Sequence, residues 1–272
     1  MTRIILTFGL IFLAATAKAQ TLTFGIVPQQ SAKKMAALWT PIFQHIKQQS
    51  GLQIQFSTAK DIPTFEKRLL NGEYDIAYMN PYHYTVFSQK PGYQAIAKQK
   101  NKRIKGIMVV RKDSDIRQLS ELNNKTLAFP SPAAFAASVL PRAKMNQDGI
   151  SFKPQYVSSH DSVYLSVARG FFPAGGGVMR TFNNTNEDER KQLKVMWTTP
   201  GYTSHAIAVH PRIDSELSSK IQQALLNLNE SEEGQRLLKS INFKGMESAS
   251  DTQWDDVRSL DIKLLDHLLG SR

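Results

Sequence analysis

The chain has 272 residues, 41% hydrophobic and 21% charged, which is enough for one large domain or two smaller ones and needs no disulfide or metal staple to fold. It contains no cysteine, and this excludes disulfide scaffolds, thiolate metal sites, iron–sulfur clusters and cysteine nucleophiles. Thirty-four Lys and Arg against 23 Asp and Glu give a net charge of +11, a balance that favours an anionic partner: nucleic acid, a membrane surface or a small oxyanion.

Residues 1–19 read as an export signal. Arg3 supplies the positive start, residues 4–15 are apolar, and Ala17-Lys18-Ala19 fits the small-x-small pattern, so cleavage is expected after Ala19. The run falls short of the roughly 20 apolar residues of a membrane span, and the mature protein is expected to be soluble and outside the cytoplasm. Residues 22–27 predict a strand that Pro28 stops. Residues 32–49 carry Met35, Leu38, Trp39, Ile42, Phe43 and Ile46 at helical spacing, with a kink or break expected at Pro41. A strand follows at 52–57, a helix at 61–70 capped by Asp61, and strands at 74–79, 93–98 and 104–111. The densest basic cluster, residues 98–105, is expected to be a solvated hairpin turn between two of these strands.

New members then continue the pattern: a strand at 126–130, a helix at 133–146, a strand at 153–157, a helix at 161–169, and strands at 174–179, 193–198 and 204–210. Helices are expected at 215–229, 231–240 and 252–269. Strands alternating with helices of this length imply βαβ units and mostly parallel sheets. Ligands of such sheets bind beyond the carboxyl ends of the strands, where unpaired N–H groups at helix N-termini attract oxyanions. The turns in question are residues 28–31, 80–84, 130–134, 158–161 and 180–183.

The basic residues are dispersed and no zinc-finger or RNA-recognition pattern occurs, so nucleic acid is not an expected partner. Catalysis is also disfavoured. Ser131, His160 and Asp161 are triad residue types, yet Asp161 adjoins His160 and there is no G-x-S-x-G elbow; a hydrolase remains a remote alternative. There is no HExxH, and His205 and His210 are an odd number apart on a strand-like run, so no metal and no cofactor is expected.

Phe24-Gly-Ile-Val-Pro28 with Ser31 and Leu38-Trp39-Thr-Pro41 resembles the start of periplasmic phosphonate/phosphite/phosphate-type solute-binding proteins of ABC transporters. Asn71-Gly-Glu-Tyr-Asp-Ile-Ala-Tyr-Met-Asn-Pro81, Leu127-Ala-Phe-Pro-Ser131 with Leu140-Pro-Arg142, and Ser158-Ser-His-Asp161 extend the resemblance over most of the chain. It implies an α/β, two-lobed, hinged periplasmic-binding-protein architecture, each lobe a mostly parallel sheet flanked by helices. Residues 20–107 and 205–272 would form one lobe and 108–204 the other, with hinges near Gly106 and Tyr202. It further implies a periplasmic monomer that is a receptor and not an enzyme, delivering a small oxyanion to a membrane permease; a receptor for a membrane histidine kinase is the alternative.

The resemblance and the strand-to-helix turns together point to a ligand site at Tyr78, Asn80, Tyr82, Ser131, Ala133, Ala134, His160 and Arg180. Asn80 and Tyr82 are placed in the cleft, whereas Tyr78 fits core packing equally well. The family's hydroxyl-rich turn is here Ser131-Pro-Ala-Ala134, two hydroxyls short, and its acidic strand is replaced by residues 172–177, which carry no carboxylate. Ser131 is either a ligand donor or a helix cap. His160 is expected to bring a donor or a positive charge to the anion, or else to be satisfied locally. Arg180 is either an oxyanion clamp or part of a surface ion pair. Gly175-Gly176-Gly177 implies close approach by a ligand or another segment, or a bend.

Overall fold

The computed structural model describes residues 21–270, so the export signal lies outside the described residues. The chain begins with β1 (Thr21–Ile26), α1 (Ala32–Ser50), β2 (Gln53–Ser57), α2 (Ile62–Leu70), β3 (Ile76–Met79), α3 (Pro81–Phe87) and β4 (Gln94–Gln99). It continues through β5 (Arg103–Ile104), β6 (Gly106–Arg111), β7 (Lys125–Phe129), a π-helical turn (Phe135–Val139) and α4 (Leu140–Gln147). Then come β8 (Phe152–Tyr156), α5 (His160–Ala168), β9 (Ala174–Val178), α6 (Met179–Asn183), α7 (Glu187–Arg190) and β10 (Leu193–Thr198). It ends with β11 (Tyr202–Thr203), β12 (Ala206–Val209), α8 (Ser215–Leu226), α9 (Glu232–Ser240), β13 (Met246–Ser248), α10 (Asp255–Arg258) and α11 (Asp266–Leu269).

Two sheets result, ordered β13-β4-β12-β3-β1-β2 and β10-β6-β9-β7-β8. Between them the two chain crossings run side by side as the antiparallel pair β5·β11. The architecture is the expected α/β one, with helices flanking two sheets, but the sheets are mixed and not mostly parallel. β1·β2, β1·β3, β7·β8 and β7·β9 are parallel, whereas β12 and β6 enter their sheets antiparallel to both neighbours. Each of these is the first long strand after a crossing. It arrives from the other sheet, so its direction is set by the crossing and not by a βα loop.

Alternation explains how the second sheet is buried on both faces. Ile107 and Val109 of β6 pack with Val163, Tyr164 and Val167 of α5, while Met108 and Val110 pack with Leu119, Leu122 and Met145 on the other side. In the first sheet, Phe24 stacks on Phe43 at 4.9 Å and Trp39 lies edge-on to Phe243 at 6.0 Å. Helix α1 runs through Pro41 without a break. The buried side chains of Trp39, Ile42, Phe43 and Ile46 on either side of the proline hold it against β1.

Three other expectations need correction. Residues 98–105 are not a hairpin, because β4 pairs with β12 and β13 while β5 pairs with β11. Residues 133–146 open as a π-helical turn before α4. Residues 252–269 are broken into α10 and α11 after a 3₁₀ turn. There Trp254 is fully buried and donates Nε1–H to Ser204 O at 2.9 Å, and Asp261 takes φ 47°, which no α-helix accommodates.

Candidate functional site

Four turns meet between the sheets: 28–31 after β1, 80–84 after β3, 130–137 after β7 and 158–161 after β8. The third is placed by glycine. A Cβ on Gly106 or Gly176 would overlap the carbonyls of Ala136 and Ala137, so only bare backbone in β6 and β9 lets the π-helical turn settle on them. The close approach foreseen at Gly175-Gly176-Gly177 is therefore made by other segments of the chain: the π turn at Gly176, Val163 at Gly175 and Tyr164 at Gly177. Residues 133–137 consequently pack into the core of the first sheet, and Arg142 of α4 donates to Pro132 O at 3.3 Å.

Around this turn lie Asn80, Ser131 and His160. Asn80 caps α3 by accepting from His83 N at 2.8 Å, and its amide donates to Ala133 O at 3.3 Å. Ser131 is 3% exposed, caps no helix, and its Oγ has no hydrogen-bond partner among the described residues. A buried hydroxyl left in that state is costly unless something else receives it. Ala133 and Ala134 are buried beside it, and Ala134 lines the same cavity as Asn80 and His160.

His160 opens α5, where Ser159 is the cap. Its ring is fully buried, and burial with the nearby Arg180 charge pushes its pKa down to about 3. The ring is therefore neutral, which removes the positive charge and leaves the donor of the two ligand roles expected at this position. Nδ1 lies 3.2 Å from Thr181 Oγ1. The single Thr181 hydroxyl proton is shared between Nδ1 and Val178 O at 3.0 Å; where it goes to Nδ1, the ring proton resides on Nε2, and His160 offers a neutral N–H to the cavity. Thr181 is itself held by Tyr164 OH at 2.7 Å. No motif marked Thr181, because the contact spans 21 residues.

Among the described residues Arg180 enters no surface ion pair; its guanidinium contacts Gln29 Oε1 and lies 5.9 Å above the Tyr78 ring. Gln29 in turn meets His205 Nε2 at 3.1 Å, and His205 stacks on Tyr78 at 4.8 Å. Burial, reinforced by Arg180, keeps His205 well below the usual histidine range. Gln29 went unnoticed in the sequence, and His205 was weighed there only as a metal ligand; the one signal was that Gln29 sits in the first strand-to-helix turn. Tyr78 is both core and cavity wall, buried against Trp39 at 5.2 Å. Tyr82 does not belong here. Its hydroxyl accepts from Leu265 N at 2.8 Å, which fixes it against the C-terminal segment, where it lines a separate groove.

Two adjoining spaces are formed. The inner one, among Gln29, Asn80, residues 134–137, His160 and His205, measures only ≈ 10 Å³, about the room of one water. A tetrahedral oxyanion enters it only when the groups around it separate. Those groups belong to opposite sheets and are tied by His160 N to Gln29 O (3.1 Å), Gln30 Nε2 to Asp161 Oδ1 (3.2 Å) and Ser31 N to Asp161 Oδ2 (3.4 Å). The outer space measures ≈ 350 Å³ and is lined by Tyr78, Lys102, Lys105, Arg180, Ser204 and Lys244 among others. It shares Ile104, Val178 and His205 with the inner one.

Residues 24–254 match the family model described as ABC transporter, phosphonate, periplasmic substrate-binding protein. The chain belongs to this family. The periplasmic phosphonate-type binding proteins are receptors of transporters and not enzymes, and they place the chain in the periplasm. Among the described residues no helix is long and apolar enough to cross a membrane. The family member is 24% identical over 261 residues to the phosphonates-binding periplasmic protein of Escherichia coli, covering 90% of this chain and 77% of that one. It is 21% identical over 236 residues to the phosphate-import protein PhnD of Mycolicibacterium smegmatis, covering 75% and 70%. The structure of PhnD1 from Prochlorococcus marinus in complex with methylphosphonate superposes with a TM-score of 0.80 at 21% identity, over 91% of this chain and 99% of that one.

Proposed function

We propose that this protein captures a small phosphorus oxyanion (phosphonate, phosphite or phosphate) between its two lobes and presents the closed form to the permease of an ABC importer. The observation that carries this reading is the buried Ser131 hydroxyl without a partner, on a turn that meets Asn80 and the neutral His160 ring. Neutral donors and helix-start N–H groups suit an oxyanion that brings its own charge. The turn lacks two of the hydroxyls usual in the family, and backbone N–H groups supply the remaining donors. The relatives named for phosphonate and phosphate import support the ligand class, and as importer components they give no support to a kinase-linked receptor.

Residues 20–107 with 205–272, and 108–204, are taken as the two moving bodies, with β5·β11 as the hinge and the contacts of Asp161 with Gln30 and Ser31 as the latch. Binding occurs in an opened form, and closure on the oxyanion stops short of the ≈ 10 Å³ inner volume, which admits no more than a water. Isothermal titration of the purified protein with methylphosphonate, phosphite and phosphate tests the reading. One of the three is expected to bind at one site per chain, and the paired substitution Ser131→Ala/His160→Ala is expected to abolish that binding. Binding that survives the pair unchanged would place the ligand elsewhere.

A further inference from the structure

We propose that the outer cavity formed by Lys102, Lys105, Arg180, Lys244 and Ser204 is a second anion subsite, so that the compound this protein binds carries a second negatively charged group besides its phosphorus oxyanion. The proposal rests on the oxyanion reading of the inner cleft and extends it to the substrate class.

Five cationic side chains line the outer cavity and no carboxylate does. Arg103 is accounted for, because it binds Asp256 at 2.7 Å and Gly201 O at 2.9 Å and so braces the wall. Lys102, Lys105 and Lys244 form no ion pair among the described residues, although the neighbouring Lys98 is paired with Glu247. Arg180 meets an amide oxygen and an aromatic face and no carboxylate among the described residues. Lys102 is half-buried, and its ammonium is held below the ordinary lysine range by burial and by the charges of Lys244, Arg180 and Lys105. Like charges gathered in this way repel one another, and a bound anion relieves all of them together.

A second, independent observation points into the same space. Ser204 is 4% exposed, lines the cavity, and its Oγ has no partner among the described residues. The volume of ≈ 350 Å³ falls within the range of about 300–1,000 Å³ typical of small-molecule sites. Ile104 and Val178 are common to both cavities, and with Tyr78 they provide apolar wall between the two polar ends. That arrangement fits a short hydrocarbon link between a phosphoryl group at Ser131 and His160 and a second anion among the lysines. The ligand class is therefore a phosphonate or phosphate ester bearing a carboxylate or a second phosphoryl group.

The test compares methylphosphonate with phosphonoacetate and 3-phosphonopropionate by calorimetry, and follows backbone amides by NMR. At least one phosphonocarboxylate is expected to bind tenfold or more tightly than methylphosphonate. It should move amides at both 131–137 and 101–105, whereas methylphosphonate moves the first group only. In Lys102→Gln/Lys244→Gln, shown folded by circular dichroism, the advantage over methylphosphonate should shrink to less than about twofold. Equal affinity for one-headed and two-headed compounds, or an advantage that survives the double substitution, would overturn the proposal. If none of the three compounds moves residues 131–137, the oxyanion reading of the inner cleft fails. Inorganic pyrophosphate then decides the subsite alone: shifts at Lys102, Ser204 and Lys244 that vanish in the double variant support it, and unmoved amides refute it.

Discussion

Ser131 and His160 differ in what their removal does to the protein without ligand. The Ser131 hydroxyl is buried and unpartnered, so Ser131→Ala deletes an unpaid desolvation cost and should leave Tm unchanged or higher, while weakening binding of the true oxyanion. Opposite signs in the two measurements are the expected outcome; a lower Tm together with full affinity would mean that the hydroxyl serves the fold. His160→Ala should weaken binding by about 1.5–3 kcal/mol, the range for a hydrogen bond to a charged group. Thr181→Val should weaken it less, by releasing the ring tautomer, and Thr181→Ser should restore it; titration calorimetry distinguishes the three. The histidines also set a pH dependence. The folded pKa of His160, about 3, lies below the unfolded value of 6.5, and His205 is displaced in the same direction. Between those values the unfolded chain binds more protons, so this contribution to stability is full above pH 6.5 and falls as the pH drops towards 3. Scanning calorimetry should show Tm decreasing from pH 7 to 4.5, with a shallower decline in His160→Gln/His205→Gln.

At the scale of elements, the π-helical turn is the part on which the site depends, and β9 is what holds it. Gly176→Ala would drive a methyl into the Ala137 carbonyl. This is a clash with backbone that no rotamer change relieves, and it should cost about 1–3 kcal/mol or more as overpacking. Because the displaced turn carries Ser131 and Ala134, affinity should fall along with stability; denaturant unfolding and titration of the same variant check both. The glycine triplet was visible in the sequence as a demand for close approach, but its partner was not, since Ala137 lies 39 positions away and nothing in an alanine run announces a carbonyl contact. The helix starts were legible for a simpler reason. Asp61, Ser159 and Asp214 cap α2, α5 and α8 through bonds to Thr64 N, Ser162 N and Leu217 N, contacts made within three residues and hence written in local order.

For the molecule as a whole, the closed arrangement is held by few direct bonds across the cleft, among them those of Asp161 to Gln30 and to Ser31 N. A carboxylate reaching the start of α1 also meets the positive end of its dipole. Solution X-ray scattering should show the radius of gyration decreasing when the correct oxyanion is added. Asp161→Ala should require more ligand for the same compaction, because it withdraws contacts present only in the closed form. A radius that stays constant with a ligand proven to bind tightly would leave a rigid receptor and no hinge at β5·β11.

The sequence by itself determined the order and type of most elements, the Asp61 cap, the α/β class, and the strand-to-helix turns that carry Asn80, Ser131 and His160. Those features arise from contacts within a few residues or from side-chain periodicity, and both can be read along one dimension. Tertiary structure alone decided that Tyr82 faces the C-terminal segment, that His160 is neutral, that Thr181 and Gln29 stand behind the site, and that Lys102 and Lys105 of the basic cluster line a cavity. Each of these depends on burial and on charges brought together from distant positions. Desolvation and Coulomb energy are properties of three-dimensional neighbours, and the sequence does not place those side by side.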